Sequence, residues 1–445
     1  DPELWEMLIK DADSGCLLLE EQPKIDRSVE NKHEPSIFLT GATGHIGAHT
    51  LVSLLESEGN FSVIALVRAT NPLEGEGLVM KTLTSYGLMN ESIEAAIKSR
   101  CTVVCGDISR THLDLTDEEY WNVAKNCSCI VHCAAMVKHQ QPYFALKNAN
   151  VGGAKEVIRL SASSTPPIPL MFLSTIAVFR SWNGDVKRFY EDDDATAEVK
   201  HLKSGYTQSK WVAEQLVRNA QKATGLPISI FRVGVVSPST SRQNSAWPKG
   251  NLMSSWLAAF RTMGGFLFED GHGALESFQM TPIDFVASTL ALATEVALDL
   301  TNKKRESLWG TFHLCSPGHP IPSFVVGSLL PQPYKRLSFD EFYNALIHLA
   351  KTSPSKEVAA SYGMLVNLIE SYEIRGAKTA MFDTRRLNTA LLQGSKVTIP
   401  FFSEDVLERY MASAKIDMVT MEDYENKEAN IAIDGIPDNS ISAVE

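Results

Sequence analysis

The sequence has no uninterrupted apolar run approaching the roughly 18–20 residues that a membrane span needs. It has no basic-then-apolar leader and no clustered basic stretch that would neutralise a nucleic-acid backbone. With a formal net charge of −12, it reads as a cytoplasmic protein with neither a membrane nor a nucleic-acid partner. Cysteines are few and odd in number, seven in 445 residues. Cys127, Cys129 and Cys133 fall beside Ile130, Val131 and His132 in what reads as a buried strand, which scatters them over both faces, and no second cluster answers them. Reduced core thiols are expected there, and no metal site.

What is present is an ordinary globular composition, 44% hydrophobic and 21% charged, in a chain long enough for about two or three structural units. Residue 1 is Asp rather than Met, and residues 1–35 carry only one short amphipathic stretch, Leu4 to Ile9. They read as a linker in a piece of a longer polypeptide, with a trimmed terminus as the alternative.

The most informative stretch runs from Ile37 to Ala48, an apolar run that turns through Gly41, Gly44 and Gly47 into a helical pattern. Such glycines permit a tight turn, a close approach of backbone N–H groups to a pyrophosphate, and helix-on-strand packing. An ordinary strand-to-helix turn is the alternative. Leu51, Val52, Leu54 and Leu55 follow at helical spacing, and Phe61 to Val67 reads as a second parallel strand. It ends at Arg68, about twenty residues past the last glycine, where NAD-binding folds place a carboxylate against the ribose 2′-hydroxyl. A guanidinium there suits a 2′-phosphate and selects NADP, with a solvated strand-end arginine as the alternative. Lys81, on the next helical stretch, is a second phosphate candidate or a surface lysine.

Cys101 to Ile108 reads as a third strand, with Asp107 placed to accept from an adenine amino group and Ile108 to cover the ring; a plain turn aspartate is the alternative. Cys129 to Ala135 is a fourth strand whose small end residues, Ala134 and Ala135, leave room for a dinucleotide. A fifth, Leu170 to Thr175, delivers two hydroxyls. The acidic run Glu191 to Asp194 reads as a solvated face. Tyr206 and Lys210, four apart at the start of a helical pattern, share a face, so the ammonium favours the phenolate and makes Tyr206 a usable proton donor. Thr175 is placed to bond the same substrate oxygen.

In order, TGATGHIG, LVR, GDI, HCAA, NANVGG, FLST, YTQSK and FRVGVVSP resemble the extended short-chain dehydrogenase/reductases. The spacer Leu113 to Trp121, the His132 strand and Pro142-Tyr143 are similar to the thioester reductase domains of nonribosomal peptide synthetases, carboxylic acid reductases and fungal aminoadipate reductases. The resemblance spans about Ser36 to Tyr410. It implies an α/β fold, a Rossmann-type doubly wound parallel sheet with a smaller, mostly helical C-terminal substrate-binding subdomain. It further implies NADPH as cofactor, with Gly41, Thr43, Gly44, His45, Ile46 and Gly47 on the pyrophosphate loop. Thr175 becomes the catalytic hydroxyl, Tyr206 the proton donor and oxyanion partner, and Lys210 the ribose ligand that tunes Tyr206. His45 departs from the commoner aromatic or aliphatic residue of that loop.

The expected organisation is a nucleotide domain over 36–238 with returning elements at about 278–316. A lid subdomain covers 239–277 and 317–415, its helices at Ser338 to Leu346 and Ser403 to Met411, and 416–445 forms a loose acidic tail. The implied activity is reductive release of an acyl thioester from the phosphopantetheine arm of an acyl-carrier domain in the same polypeptide, to an aldehyde or onward to an alcohol. The alternatives are a free-standing extended reductase or epimerase acting on a small carbonyl or sugar nucleotide, and a non-catalytic NADP-binding module.

Overall fold

The structure, a computed structural model, describes residues 2–14, 24–27, 34–179, 188–243, 245, 247–248, 251–267, 277–278, 280–299, 301, 305–315, 321–330, 334–353, 355–372, 380–397, 399–400 and 402–414. The tail expected over 416–445 lies outside them.

Seven apolar runs form one sheet: β1 (Ser36–Thr40), β2 (Ser62–Val67), β3 (Cys101–Cys105), β4 (Cys127–His132), β5 (Leu170–Thr175), β6 (Ile228–Val233) and β7 (Gly310–Leu314). They lie in the order β3-β2-β1-β4-β5-β6-β7 and every pairing is parallel. The strands are near-continuously hydrophobic because helices cover both faces. Ile37 and Leu39 face one core with Leu51, Leu55, Val286 and Leu290. Phe38, Ile130, Phe172 and Ile230 face the other with Val157, Trp211 and Leu216. The order reverses between β1 and β4, so the crevice at their carboxyl ends is the switch point where doubly wound sheets bind ligands.

Ser36 pairs with Cys127 and Ile37 with Cys129, a register shift that leaves Ser128 as an extra residue. The shift puts Cys127 in one core and Cys129 in the other. Burial holds both thiols up, Cys127 to about 11, which keeps them unreactive.

The chain leaves the sheet after β6 through Val235–Ser237, and this segment pairs in parallel with Met280–Pro282, where the chain returns. The helices Leu252–Met263, Phe339–Thr352, Lys356–Tyr372 and Glu404–Ser413 build a third core around Trp256, Phe260, Phe342, Tyr362, Leu407 and Tyr410. This is the smaller, mostly helical unit. Among the described residues, no helix is long and apolar enough to cross a membrane.

Two expectations need correction. The segment expected as a linker contains the helix Pro2–Asp13, packed on the helix Gly205–Thr224. Its Asp11 accepts from the Tyr143 hydroxyl at 2.6 Å and from Lys147 Nζ at 2.8 Å. Leu8 and Ala12 enter the core, so the amphipathic stretch is a docked element. The acidic run is not uniformly solvated either: Glu191 is 3% exposed. Its carboxylate accepts backbone N–H groups from His313 on β7 and from Arg386 and Leu387, about two hundred residues along the chain. A run of carboxylates gives no sign that one of them meets three distant amides.

Glu191→Ala leaves those three N–H groups unpaired and is expected to destabilise the fold by about 2–5 kcal/mol. Burial raises the Glu191 pKa to about 7 despite the three N–H bonds. Its folded value therefore lies above the unfolded one, and its stabilising share is full at acid pH and declines as pH rises through about 7. The Tm difference between wild type and Glu191→Ala, followed by calorimetry, should be larger at pH 5 than at pH 8.

Candidate active site

The crevice begins at the glycine turn. Gly41 sits at φ +80°, and a Cβ there would lie 2.8 Å from Ala134 N, so the turn lies directly on the end of β4. A Cβ on Gly47 would lie 2.0 Å from Gly41 O, which binds the helix His45–Glu56 tightly under the turn. Gly44 caps that helix without any side-chain bond to its first N–H groups. These N–H groups form a cradle for an anion, with Thr43 exposed beside them and Ile46 packed beneath. The arrangement fits a dinucleotide pyrophosphate: the missing side chains let turn, strand end and helix close on one another, and the helix end provides the donors.

His45 joins this cradle through its backbone. Its ring turns inward against His49 and Tyr86, with centroids 4.9 and 5.1 Å away. Burial, and then the neighbouring His49, lower its pKa to about 3, so the ring brings no positive charge to a phosphate.

Arg68 is exposed at the end of β2, and Lys81 is exposed on the helix Pro72–Ser85. Asp107 follows β3, where its Oδ1 accepts from Ser109 N–H at 2.8 Å and its own N–H donates to Leu113 O. Burial pushes its carboxyl up, but the bonds to Ser109 and the charges of Arg68 and Arg110 outweigh burial and hold it below the usual range. Ile108 packs over Gly153, where a Cβ would come within 3.2 Å of it. Ala134 and Ala135 are half-buried at the end of β4, and Ala134 N–H donates to Thr40 Oγ1 at 3.2 Å.

Thr175 ends β5, half-buried, and its hydroxyl oxygen accepts from Ala177 N–H at 3.2 Å. That bond leaves the hydroxyl hydrogen for another partner. Tyr206 is the second residue of the helix Gly205–Thr224, with Lys210 one turn on. Lys210 is 4% exposed, and its Nζ donates to Leu173 O at 2.7 Å, two residues before Thr175, and lies 4.8 Å from the Phe172 ring centre. Burial lowers its pKa to about 8, against the raising influence of Glu214 and Cys133. The structure thus sets Lys210, one helical turn beyond Tyr206, against the strand end that bears Thr175.

Three neighbours were not legible beforehand. Asn150 lies in a π-helical turn over Asn148–Gly152, donates to Ser209 Oγ at 2.9 Å and clasps both backbone groups of Met136. Glu214 follows Lys210 at the next i+4 position, a spacing that would have found it. It accepts from Ser174 Oγ at 2.5 Å and from Arg232 Nη2 at 2.6 Å. His139 packs its ring against Tyr206 at 4.9 Å between centroids.

Comparison with known proteins agrees with this fold. The chain is 31% identical over 385 residues to a linear gramicidin synthase of Brevibacillus parabrevis, covering 85% of this chain and 7% of that protein. It is 31% identical over 230 residues to L-2-aminoadipate reductase of Saccharomyces cerevisiae, covering 49% of this chain and 16% of that protein. The chain thus spans only a small part of the curated relatives it matches. The terminal R domain from the myxalamid PKS-NRPS biosynthetic pathway superposes with a TM-score of 0.77 at 26% identity, over 92% of this chain and 97% of that one. Residues 39–290 match the male sterility protein family of NAD-binding domains. The chain belongs to that family and binds a nicotinamide dinucleotide.

Proposed function

We propose that the chain is an NADPH-dependent thioester reductase that releases an acyl group, held on the phosphopantetheine arm of a carrier domain, as an aldehyde. The observation that carries this reading is the bond from Lys210 Nζ to Leu173 O, which sets the helix bearing Tyr206 against the strand end bearing Thr175. When bound, the reduced nicotinamide supplies hydride to the carbonyl carbon. Thr175 and Tyr206 hydrogen-bond the carbonyl oxygen as its charge grows, an interaction stronger in the transition state than in the substrate. Tyr206 gives that oxygen its proton. Lys210, fixed on Leu173 O, keeps a positive charge beside the phenol and is placed to bind the nicotinamide ribose. The resulting thiohemiacetal collapses to aldehyde and free thiol.

Arg68 and Lys81 are the phosphate ligands of this reading, with Asp107 and Ile108 at the adenine and Ala134 and Ala135 beneath the dinucleotide. The carrier is proposed to sit in the same polypeptide, which the small share of each synthetase or reductase relative that this chain spans supports. Tethering makes its effective concentration high, so two acidic partners need no long-range attraction.

Turnover of NADPH with an acyl-pantetheine thioester, a free aldehyde and a simple ketone tests the reading. Tyr206→Phe is expected to lower kcat/KM for the thioester by at least ~100-fold, and ketone turnover without thioester turnover overturns it. Arg68→Ala should weaken NADPH by about 1.5–3 kcal/mol, roughly 10- to 100-fold, and leave NADH unchanged; an unaltered cofactor preference removes the 2′-phosphate role. Because burial holds Lys210 near 8, kcat/KM is expected to fall as pH rises above about 8, where the ammonium loses its proton, and a flat profile to pH 10 refutes the need for that charge.

A further inference from the structure

His139 takes no part in the chemistry assigned so far, yet it stands in the site. It lies in the loop between β4 and the helix Tyr143–Lys147, with its ring edge-to-face against Tyr206 at 4.9 Å between centroids. Its Nδ1 is buried and has no hydrogen-bond partner. Buried nitrogens are rarely left so, because the lost hydration is not replaced.

The loop is also held in place. Met136 N–H donates to Asn150 Oδ1 at 2.7 Å, and Asn150 Nδ2 donates back to Met136 O at 3.1 Å. Gln141 N–H donates to Lys138 O at 3.1 Å, closing a turn around His139. On its far side the loop presses on the start of the Tyr206 helix, where a Cβ on Gly205 would lie 2.4 Å from Gln141 O. An unpaired nitrogen kept beside the proton donor by a pinned loop is the arrangement of a group whose partner arrives with the substrate.

The substrate's own chemistry identifies that partner. The reacting carbon of a thioester carries an oxygen, a sulfur and an acyl chain, and Thr175 and Tyr206 take the oxygen. The residues flanking His139, Val137, Lys138 and Gln140, are exposed, as is Phe144 just beyond the loop. The loop therefore borders the solvent side of the site, the side open to an arm tethered to another domain and to its sulfur. A polar nitrogen there suits the sulfur better than a hydrocarbon chain.

We propose that His139 is a further catalytic residue whose Nδ1–H hydrogen-bonds the thioester sulfur and stabilises it as it leaves. This rests on the thioester reading above. Burial lowers the His139 pKa, so the imidazole works neutral, lending a hydrogen bond and keeping its proton. As the thiohemiacetal collapses, the C–S electron pair departs on sulfur, and the hydroxyl O–H pair becomes the second C–O bond. The released proton returns to the Tyr206 oxygen, and the thiolate held by His139 takes a proton from water as the arm withdraws.

The test uses one acyl group on a series of thiols, from pantetheine to a strongly acidic aryl thiol, with wild type, His139→Phe and His139→Asn. Phenylalanine keeps a ring against Tyr206 and loses the nitrogen; asparagine keeps a donor. His139→Phe is expected to lose roughly 10- to 100-fold in kcat/KM on the pantetheine thioester, with the loss vanishing on the aryl thioester, whose sulfur leaves unaided. His139→Asn should recover most of the loss. An equal loss across the series would mean that His139 only positions Tyr206, and either that result or no loss at all overturns the proposal. Should His139→Phe fail to fold, as judged by Tm and NADPH binding, His139→Leu carries the same expectation. Wild type that reduces ketones but no thioester of the series ends both readings, whereas wild-type thioester turnover with an unaffected His139→Phe ends this one alone.

Discussion

A buried ion pair holds the carboxyl end of the sheet together. Glu214 and Arg232 are both fully buried, 2.6 Å apart. Each also holds something else: the carboxylate takes the Ser174 hydroxyl, and the guanidinium reaches Asp193 O at 3.0 Å, His313 Nε2 at 3.3 Å and the face of Phe179 at 4.5 Å. One pair therefore joins β5, β6, β7, the Tyr206 helix and the loop that bears Glu191. Burial alone would push the Glu214 carboxyl up; Arg232 and Ser174 outweigh it and keep the group ionised. Removing either partner would strand a charge in the core, which is far more costly than never having placed the pair there.

That constraint bears directly on the chemistry. Ser174 precedes Thr175, so the hydrogen bond that fixes Ser174 to Glu214 also fixes the strand end that offers Thr175. Glu214 lies one turn beyond Lys210, as Lys210 lies one turn beyond Tyr206, and its charge opposes the loss of the ammonium through burial. The phenol, ammonium and carboxylate form one stripe along a single helix. Such a stripe keeps a buried lysine charged near neutrality without exposing it to water.

Much of this was readable in advance, for a physical reason. Strands covered on both faces are written as unbroken apolar runs, and Leu170–Thr175 falls where its pattern ends. Local spacing also put Tyr206 and Lys210 on one helix face, because four residues on a helix make one neighbourhood. What stayed hidden depends on contacts between distant positions. Glu191 looked like one carboxylate among four, since its partners lie on β7 and near residue 386. Asn150 was seen within a motif, but its hold on Met136 needed the π-helical turn that no periodicity announces. His139 carried no signal because its neighbour Tyr206 lies 67 residues further along the chain. The docking of Pro2–Asp13 was missed because a single short amphipathic stretch does not say what it packs against.

The Glu191 clasp also orders events during synthesis. Its partner Leu387 lies 196 residues downstream, and a ribosome releases the chain from the amino end. The cradle, the Tyr206 helix and most of the sheet emerge long before that partner does. Until then Glu191 lacks two of its three amides, and the edge strand β7 lacks its final tie. The strands that emerge first therefore lack this tie until the late segment follows, and a chain truncated before residue 387 would have Thr175, Tyr206 and Lys210 but no latch.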